Sequence, residues 1–338
     1  MKILGIETSC DETSAAILDD GTVRSSIISS HLVHKEFGGI VPELASRAHQ
    51  TLIIPVVKEA LDAGGCSLSD LQAVAVTCGP GLMGALLVGL NFAKGLTLGL
   101  NVPLLGVNHL EGHIYSNFLS PQTPEFPFLC LVVSGGHTEI VLVEQPLRHR
   151  LIGETLDDAA GEAYDKVAKM LHLGFPGGPV IDSYAKSGNP EFVRFPRSML
   201  QNGNFNFSFS GVKTSVMYWL RDEGFYGGSS QKSPDEKTLH DLCASFQAAV
   251  VDVLVEKTFA AADKYHVRDI AIAGGVSANS ELRSRCTATA AMKEKRIFIP
   301  NPEYCTDNAA MIAMAGSFYL REGRVSPLNL TATANLSV

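Results

Sequence analysis

Two histidines four residues apart are the residues whose spacing most directly suggests chemistry: Asn108-His109-Leu110-Glu111-Gly112-His113. On a helix, positions i and i+4 share a face, so both imidazoles can reach one metal ion. The arrangement is not H-E-x-x-H. Glu111 lies two residues from each histidine and points to the other side of the helix, so it is poorly placed to activate a water. An isolated pair at this spacing reads equally well as two ordinary helix histidines, and a third ligand decides between them. Asp307, in the polar turn Tyr304-Cys305-Thr306-Asp307-Asn308 at a predicted helix start, is the best candidate, and it comes from the other half of the chain, so a metal there is expected to link the two domains. Two histidines and one carboxylate leave coordination positions open for a substrate.

Four glycine-rich turns come next. Gly79-Pro80-Gly81-Leu82-Met83-Gly84 follows a predicted strand and matches G-x-G-x-x-G literally, which raises a dinucleotide site. It lies in mid-chain, and the next strand, Pro103 to Val107, lacks the terminal acid that would hold a ribose, so a tight turn for packing is the better reading. Ser134-Gly135-Gly136-His137-Thr138 is a hairpin turn whose glycines allow positive φ and whose N–H groups form an anion nest; a plain hairpin turn is the alternative. Gly274-Gly275-Val276-Ser277-Ala278-Asn279 and Phe175-Pro176-Gly177-Gly178-Pro179 add two more Gly-Gly pairs, the latter with Asp165 and Asp182 nearby. Together they point to a nucleotide cleft between domains.

The elements that must hold these residues read as an alternating α/β chain. Lys2 to Ile6 and Ser14 to Leu18 form a first hairpin, and Phe128 to Val143 repeats the layout, which suggests a duplicated domain plan. Helices are expected over 42–63, 85–98, 239–264, from Asn279, and over 307–318, with strands at 73–77, 103–107 and 269–273, giving mostly parallel sheets with helices on their faces. The chain of 338 residues fits two domains, placed at 1–125 and 126–325 with an insertion near 186–236 and a tail from 326 to 338, the alternative being that the C-terminal helix packs back onto the first. The 46% hydrophobic and 18% charged residues supply both cores. Apolar runs are broken by Gly, Asn or Lys short of the ~20 residues of a membrane span, and Glu7 comes too early for a secretory signal. Seven scattered cysteines without a C-x-x-C pair read as reduced thiols, hence a cytoplasmic protein. A net charge of −8 argues against a phosphate-binding stripe, so any RNA substrate needs local patches or a partner to supply positive field.

The segments GIETSCDETS, FGGIVPELASR, GPGLMGALLVG, NHLEGH, FLCLVVSGGHTE, DDAAGEAYDK, FPGGP, FSFSGVKT, AGGVSANSELR and CTDNAAMIA, in this order, resemble the TsaD family over nearly the whole chain. The resemblance implies an actin-like, Hsp70-like and sugar-kinase-like fold, with two RNase H-like subdomains and a cleft between them. It implies transfer of a threonylcarbamoyl group from threonylcarbamoyl-AMP to the exocyclic amine of adenosine 37, in tRNAs that read codons beginning with A. It assigns one divalent metal, iron or zinc, to His109, His113 and Asp307, and nucleotide contacts to Val132, Val133, Ser134, Gly135, Gly136, Asp165, Gly178, Asp182 and Asn279. An adenine nucleotide would occupy the same cleft as the adenylate substrate. Glu12 or Asp11 in the first hairpin, or His137, is the candidate for accepting the amine proton; Cys10, beside two acids, should have a raised pKa and is a poor nucleophile. The implied partners are tRNA, a TsaB-like paralogous subunit and a TsaE-like ATPase, with no membrane; in isolation the chain is open to being a monomer or a homodimer.

Two other functions stand beside this one: a metalloprotease, the family's older label, which the missing H-E-x-x-H disfavours, and a non-catalytic ATP-binding scaffold, which the full metal set disfavours. The family commonly ends in a basic tail of the S-V-R-P-R-W type. This chain ends Thr331-Ala332-Thr333-Ala334-Asn335-Leu336-Ser337-Val338, so dependence on partners for tRNA binding is expected to be stronger. The helix from Ala85 to Leu98 is apolar nearly all round and is expected to pair with a helix of another subunit through Leu86 and its neighbours.

Overall fold

A computed structural model describes residues 1–30, 41–200, 203–226 and 233–338. The Phe37 to Ile40 part of the FGGIVPELASR segment and part of the 186–236 insertion lie outside the described residues. In chain order the main elements are β1 (Lys2–Glu7), β2 (Glu12–Asp19), β3 (Thr22–Ser30), α1 (Pro42–Ala63), β4 (Ala73–Gly79), α2 (Met83–Leu100), β5 (Leu104–Asn108), α3 (His109–Tyr115), β6 (Phe128–Val133), β7 (Thr138–Gln145), β8 (Arg148–Glu154), α4 (Ala160–Met170), α5 (Gly177–Ala185), α6 (Ser210–Asp222), α7 (Glu236–Lys264), β9 (Asp269–Ala273), α8 (Ser280–Met292), β10 (Arg296–Phe298) and α9 (Ala309–Arg321).

They form two units, each with a five-stranded sheet. The sheet orders are β3-β2-β1-β4-β5 and β10-β9-β6-β7-β8, the same plan read from opposite ends. In the first sheet β1–β2 and β2–β3 pair antiparallel while β1–β4 and β4–β5 pair parallel. The expectation of mostly parallel sheets is therefore corrected to mixed sheets. Each predicted hairpin gains a third strand, β3 and β8, which the sequence reading passed over. Asp19-Asp20-Gly21 does not end the hairpin but turns it, with Asp20 and Gly21 both at positive φ.

The first unit comprises Met1–Thr123, Gln145–Arg148 and Pro300–Val338; the second comprises Pro124–Glu144 and His149–Ile299. The second unit thus ends at Ile299, and the C-terminal helix packs back onto the first unit, the alternative that the sequence left open. The reason is α9, a helix buried from Ala309 to Ser317 and built there largely of Ala, with one Gly. Small residues let it lie directly on the first sheet: a Cβ on Gly5 of β1 would sit 2.2 Å from the Ala309 carbonyl oxygen, and one on Gly316 would sit 2.6 Å from Ala75 Cβ of β4. Residues 326–338 belong to the first unit too. Ser326 N–H donates to Leu104 O (2.8 Å), Thr333 N–H to Cys78 O (2.9 Å) and Asn108 Nδ2 to Ser337 O (2.8 Å).

Two helices, α2 and α7, are long and apolar enough to cross a membrane by length and composition, which corrects the statement that no apolar run reaches that size. Most of α7 is buried within the second unit. In α2, Leu86, Leu90 and Ala93 are buried, while Met83, Leu87 and Leu98 are exposed, Leu98 at 71%. Leu86 faces its own core and is not on any free surface. All seven cysteines are free thiols.

Candidate metal centre and nucleotide-binding turns

The histidine pair is held by the end of β5. Asn108 accepts a hydrogen bond from Leu110 N–H on its Oδ1 (2.8 Å), capping α3 and starting the helix at His109. His109 and His113 then fall one turn apart with ring centroids 4.7 Å from each other. Asp307 arrives from the turn before α9, whose cap Asn308 accepts from Met311 N–H at 2.9 Å, while Ala309 N–H donates to Ser14 Oγ at 2.9 Å. His113 Nε2 lies 3.1 Å and His109 Nε2 3.5 Å from the same oxygen, Asp307 Oδ1. The three ligand atoms lie within 4.8 Å of one another. All three residues belong to the first unit. The expected bridge between halves of the fold is corrected accordingly: Asp307 is distant in sequence, but its helix packs on the sheet that carries the histidines.

A second layer lies behind His109, and the sequence reading missed it. Glu7, fully buried at the end of β1, places Oε2 3.0 Å from His109 Nδ1, accepts from Thr77 Oγ1 on the same oxygen (2.7 Å), and accepts Ser9 N–H on Oε1. Ser9 Oγ is 3.2 Å from the same His109 nitrogen. The only signal available in the sequence was an acid closing an apolar strand. Burial acts most strongly on these groups and favours their neutral forms. The attraction between His109 and the two carboxylates overcomes it, holding the imidazole pKa well above its usual value, Asp307 well below the carboxylate range and Glu7 lowered. His109 thus lies between two carboxylates, Glu7 on its Nδ1 and Asp307 on its Nε2. Two imidazole nitrogens and a carboxylate oxygen converging on one point, with a carboxylate orienting one ring from behind, form a donor set that fits a divalent ion. Glu111 points away, accepting Tyr319 O–H at 2.6 Å.

The Gly79-Pro80-Gly81 turn is filled with protein. A Cβ on Gly81 would lie 2.6 Å from Ser9 O and one on Gly79 2.0 Å from Thr333 O, and both glycines have positive φ. Leu82 N–H donates to Ser9 O at 2.7 Å, so the turn steadies the Ser9 that touches His109. Of the proposed proton acceptors, Asp11 is half-buried in the turn before β2 and Glu12 opens that strand. Burial, then Asp307 and Asp11, pushes the Cys10 thiol far up, so it stays protonated.

The nucleotide candidates lie in the second unit. Val132 and Val133 end β6, and Ser134 N–H bonds His137 O (2.8 Å) while His137 N–H bonds Ser134 Oγ (3.1 Å). Asp165 accepts Gly177 N–H at 2.7 Å, fixing the start of α5, and burial raises its pKa against that bond. Asp182 accepts from Ser280 Oγ at 2.8 Å, and Asn279 caps α8 through Leu282 N–H at 2.9 Å. The glycines behave differently from expectation. Neither Gly135 nor Gly136 has positive φ, and a Cβ on either, or on Gly178 or Gly275, would meet nothing. Two of these glycines are required by the backbone: Gly274, with φ of +88° and Val133 O 2.4 Å from its Cβ position, and Gly177, whose Cβ would lie 2.7 Å from Tyr164 O.

A family model described as TsaD, tRNA N6-adenosine threonylcarbamoyltransferase, matches residues 22–314. Proteins of that name from Salinibacter ruber and Kosmotoga olearia are 54% and 50% identical over 339 aligned residues, covering 100% of this chain and 100% and 99% of theirs. Among solved structures, full-length HypF in a phosphate- and nucleotide-bound form aligns with TM-score 0.60 at 12% identity, over 95% of this chain and 46% of that one. The activator of 2-hydroxyisocaproyl-CoA dehydratase from Clostridium difficile, with ADPNP bound, aligns with TM-score 0.53 at 14% identity over the full length of both. These last two show the fold alone, that of the actin-like, Hsp70-like and sugar-kinase-like group. By sequence over its whole length, the chain belongs to the TsaD family of tRNA N6-adenosine threonylcarbamoyltransferases.

Proposed function

We propose that this transferase moves the threonylcarbamoyl group of threonylcarbamoyl-AMP onto N6 of adenosine 37 in tRNA, using a metal held by His109, His113 and Asp307. The observation that carries the reading is the convergence of both Nε2 atoms on Asp307 Oδ1, with Glu7 behind. An iron or zinc ion there would supply Lewis-acid polarisation of the carbamoyl carbonyl. The residues do the rest. Ser134 to Gly136, Asp165, Gly178, Asp182 and Asn279 hold the adenylate. Support comes from the glycines whose missing Cβ atoms leave open space that no packing or φ requirement explains. The reaction forms a C–N bond from N6 to the carbamoyl carbon and breaks the C–O bond to phosphate, so AMP leaves with the electron pair. The proton released from N6 passes to Glu12 or Asp11, or to His137; Cys10, held as a thiol, is not the acceptor.

A TsaB-like subunit docks on the exposed face of α2, formed by Met83, Leu87 and Leu98, and in its absence two copies pair through the same face. A TsaE-like ATPase and tRNA complete the assembly, in the cytoplasm. The test supplies unmodified tRNA, threonine, bicarbonate, ATP, a separate adenylate-forming enzyme and the partner subunits. Modification that vanishes with His109→Ala supports the reading; modification that persists at the wild-type rate refutes the metal's role.

A further inference from the structure

Gln247 lies in the middle of α7, flanked by Phe246, Ala248, Ala249 and Val250, on a helix buried on nearly every side. A polar amide at 4% exposure in such surroundings costs free energy unless its atoms are bonded. Here they are, and to particular partners. Its Oε1 accepts from Asn279 Nδ2 at 2.7 Å and from Tyr164 O–H at 3.5 Å, and its Nε2 donates to Asp182 Oδ1 at 3.2 Å. Tyr164 stands beside Asp165 on α4, Asp182 is on α5, and Asn279 caps α8. One amide thus joins three of the elements that carry residues assigned to the nucleotide, and it does so from the core side.

The bonding is directional. Asn279 Oδ1 is committed to Leu282 N–H (2.9 Å), which fixes its amide and turns Nδ2 towards Gln247. Asp182 Oδ1 takes Ser280 Oγ–H and Gln247 Nε2–H together. We infer that Gln247 is a positioning residue for adenine-nucleotide binding, setting the orientation of Asp182 and Asn279 without touching the ligand. The inference rests on the reading of those two residues as nucleotide contacts.

The test is ADP affinity of the full chain, measured by calorimetry, beside the KM for tRNA and the melting temperature. Gln247→Met keeps length and loses every bond; its Kd for ADP is expected to rise roughly tenfold or more, with the tRNA KM and the bound-metal content unchanged. Gln247→Glu is the second variant. Buried beside the Asp182 carboxylate, its carboxyl group holds a proton and donates it to Asp182 while the other oxygen still accepts from Asn279 Nδ2, so ADP affinity is expected to stay close to wild type. Wild-type ADP affinity in Gln247→Met, or an affinity in Gln247→Glu as weak as that of Gln247→Met, overturns the inference. If instead Asp182→Ala and Asn279→Ala both leave ADP binding intact, the nucleotide assignment itself fails and takes the role of Gln247 with it.

Discussion

Replacing Glu7 by Gln keeps the size of the side chain and exchanges one oxygen for an NH2. Three donors converge on the carboxylate: Ser9 N–H on Oε1, and Thr77 Oγ1–H and His109 Nδ1–H on Oε2. Whichever way the amide turns, its NH2 meets at least one of them, in a pocket with no exposure to water. The Thr77 hydroxyl can rotate away; the ring and the backbone amide cannot. His109 therefore loses either its charged acceptor or its fixed orientation, and the ring that must present Nε2 to a metal is loosened. Loss of a carboxylate partner behind a metal-bound histidine typically weakens metal binding about 10- to 100-fold, which is about 1.4–2.7 kcal/mol. Competition for Zn(II) against a chromophoric chelator measures this, with circular dichroism to show that the fold is kept. A folded Glu7→Gln chain that binds Zn(II) as tightly as the wild type would refute the argument that Glu7 tunes the centre.

Other outcomes follow from the same structure. Burial, with Glu154 adding to it, lifts the Glu139 carboxyl from 4.5 to about 7. Since the folded pKa is the higher one, its contribution to stability is full below pH 4.5 and is lost as pH rises through about 7. Glu139→Gln should flatten that fall in a pH series of urea melts and stabilise the protein at pH 8 by about 1–2 kcal/mol, allowing for the residual exposure of the side chain. Gly136→Ala should leave the melting temperature unchanged while weakening ADP binding, whereas Gly274→Ala, strained at φ of +88° and pressed on Val133 O, should cost about 2 kcal/mol or more in stability; equal thermal effects would contradict the distinction. Leu87→Glu should abolish capture of the TsaB-like subunit by a folded chain, while Leu86→Glu, at a fully buried position, should impair folding itself.

The i, i+4 spacing made the histidine pair legible because α-helical geometry alone puts both rings on one side. Asp307 was legible as a ligand type in a polar turn, but its place in the fold was not. What brings it to the histidines is the seating of α9 on β1 and β4 through Gly5 and Gly316, contacts between small residues about 240 to 300 positions apart in chain order, and periodicity carries no trace of that. Glu7 and Gln247 were missed for related reasons. Each is a single polar residue within or ending an apolar stretch, and its meaning depends on a partner from another element. The third strands failed for a local reason: TVRSSIISS and RHRLIGE are half polar and partly exposed, so they lack the apolar run that marked β1 and β6. The Gly-Gly turns were found, but for a different reason from the one that the backbone supports. Positive φ explains Gly274, while Gly135 and Gly136 are notable for the space they leave.

The proposed transfer needs one metal per chain, held by His109, His113 and Asp307. Elemental analysis of the purified full-length protein, run on the same preparations as the tRNA modification assay, measures both at once. One equivalent of iron or zinc in the wild type, with metal and transfer both lost in Asp307→Ala, is the result expected. An Asp307→Ala chain that keeps its metal, or a metal-free chain that modifies tRNA at the full rate, would contradict it.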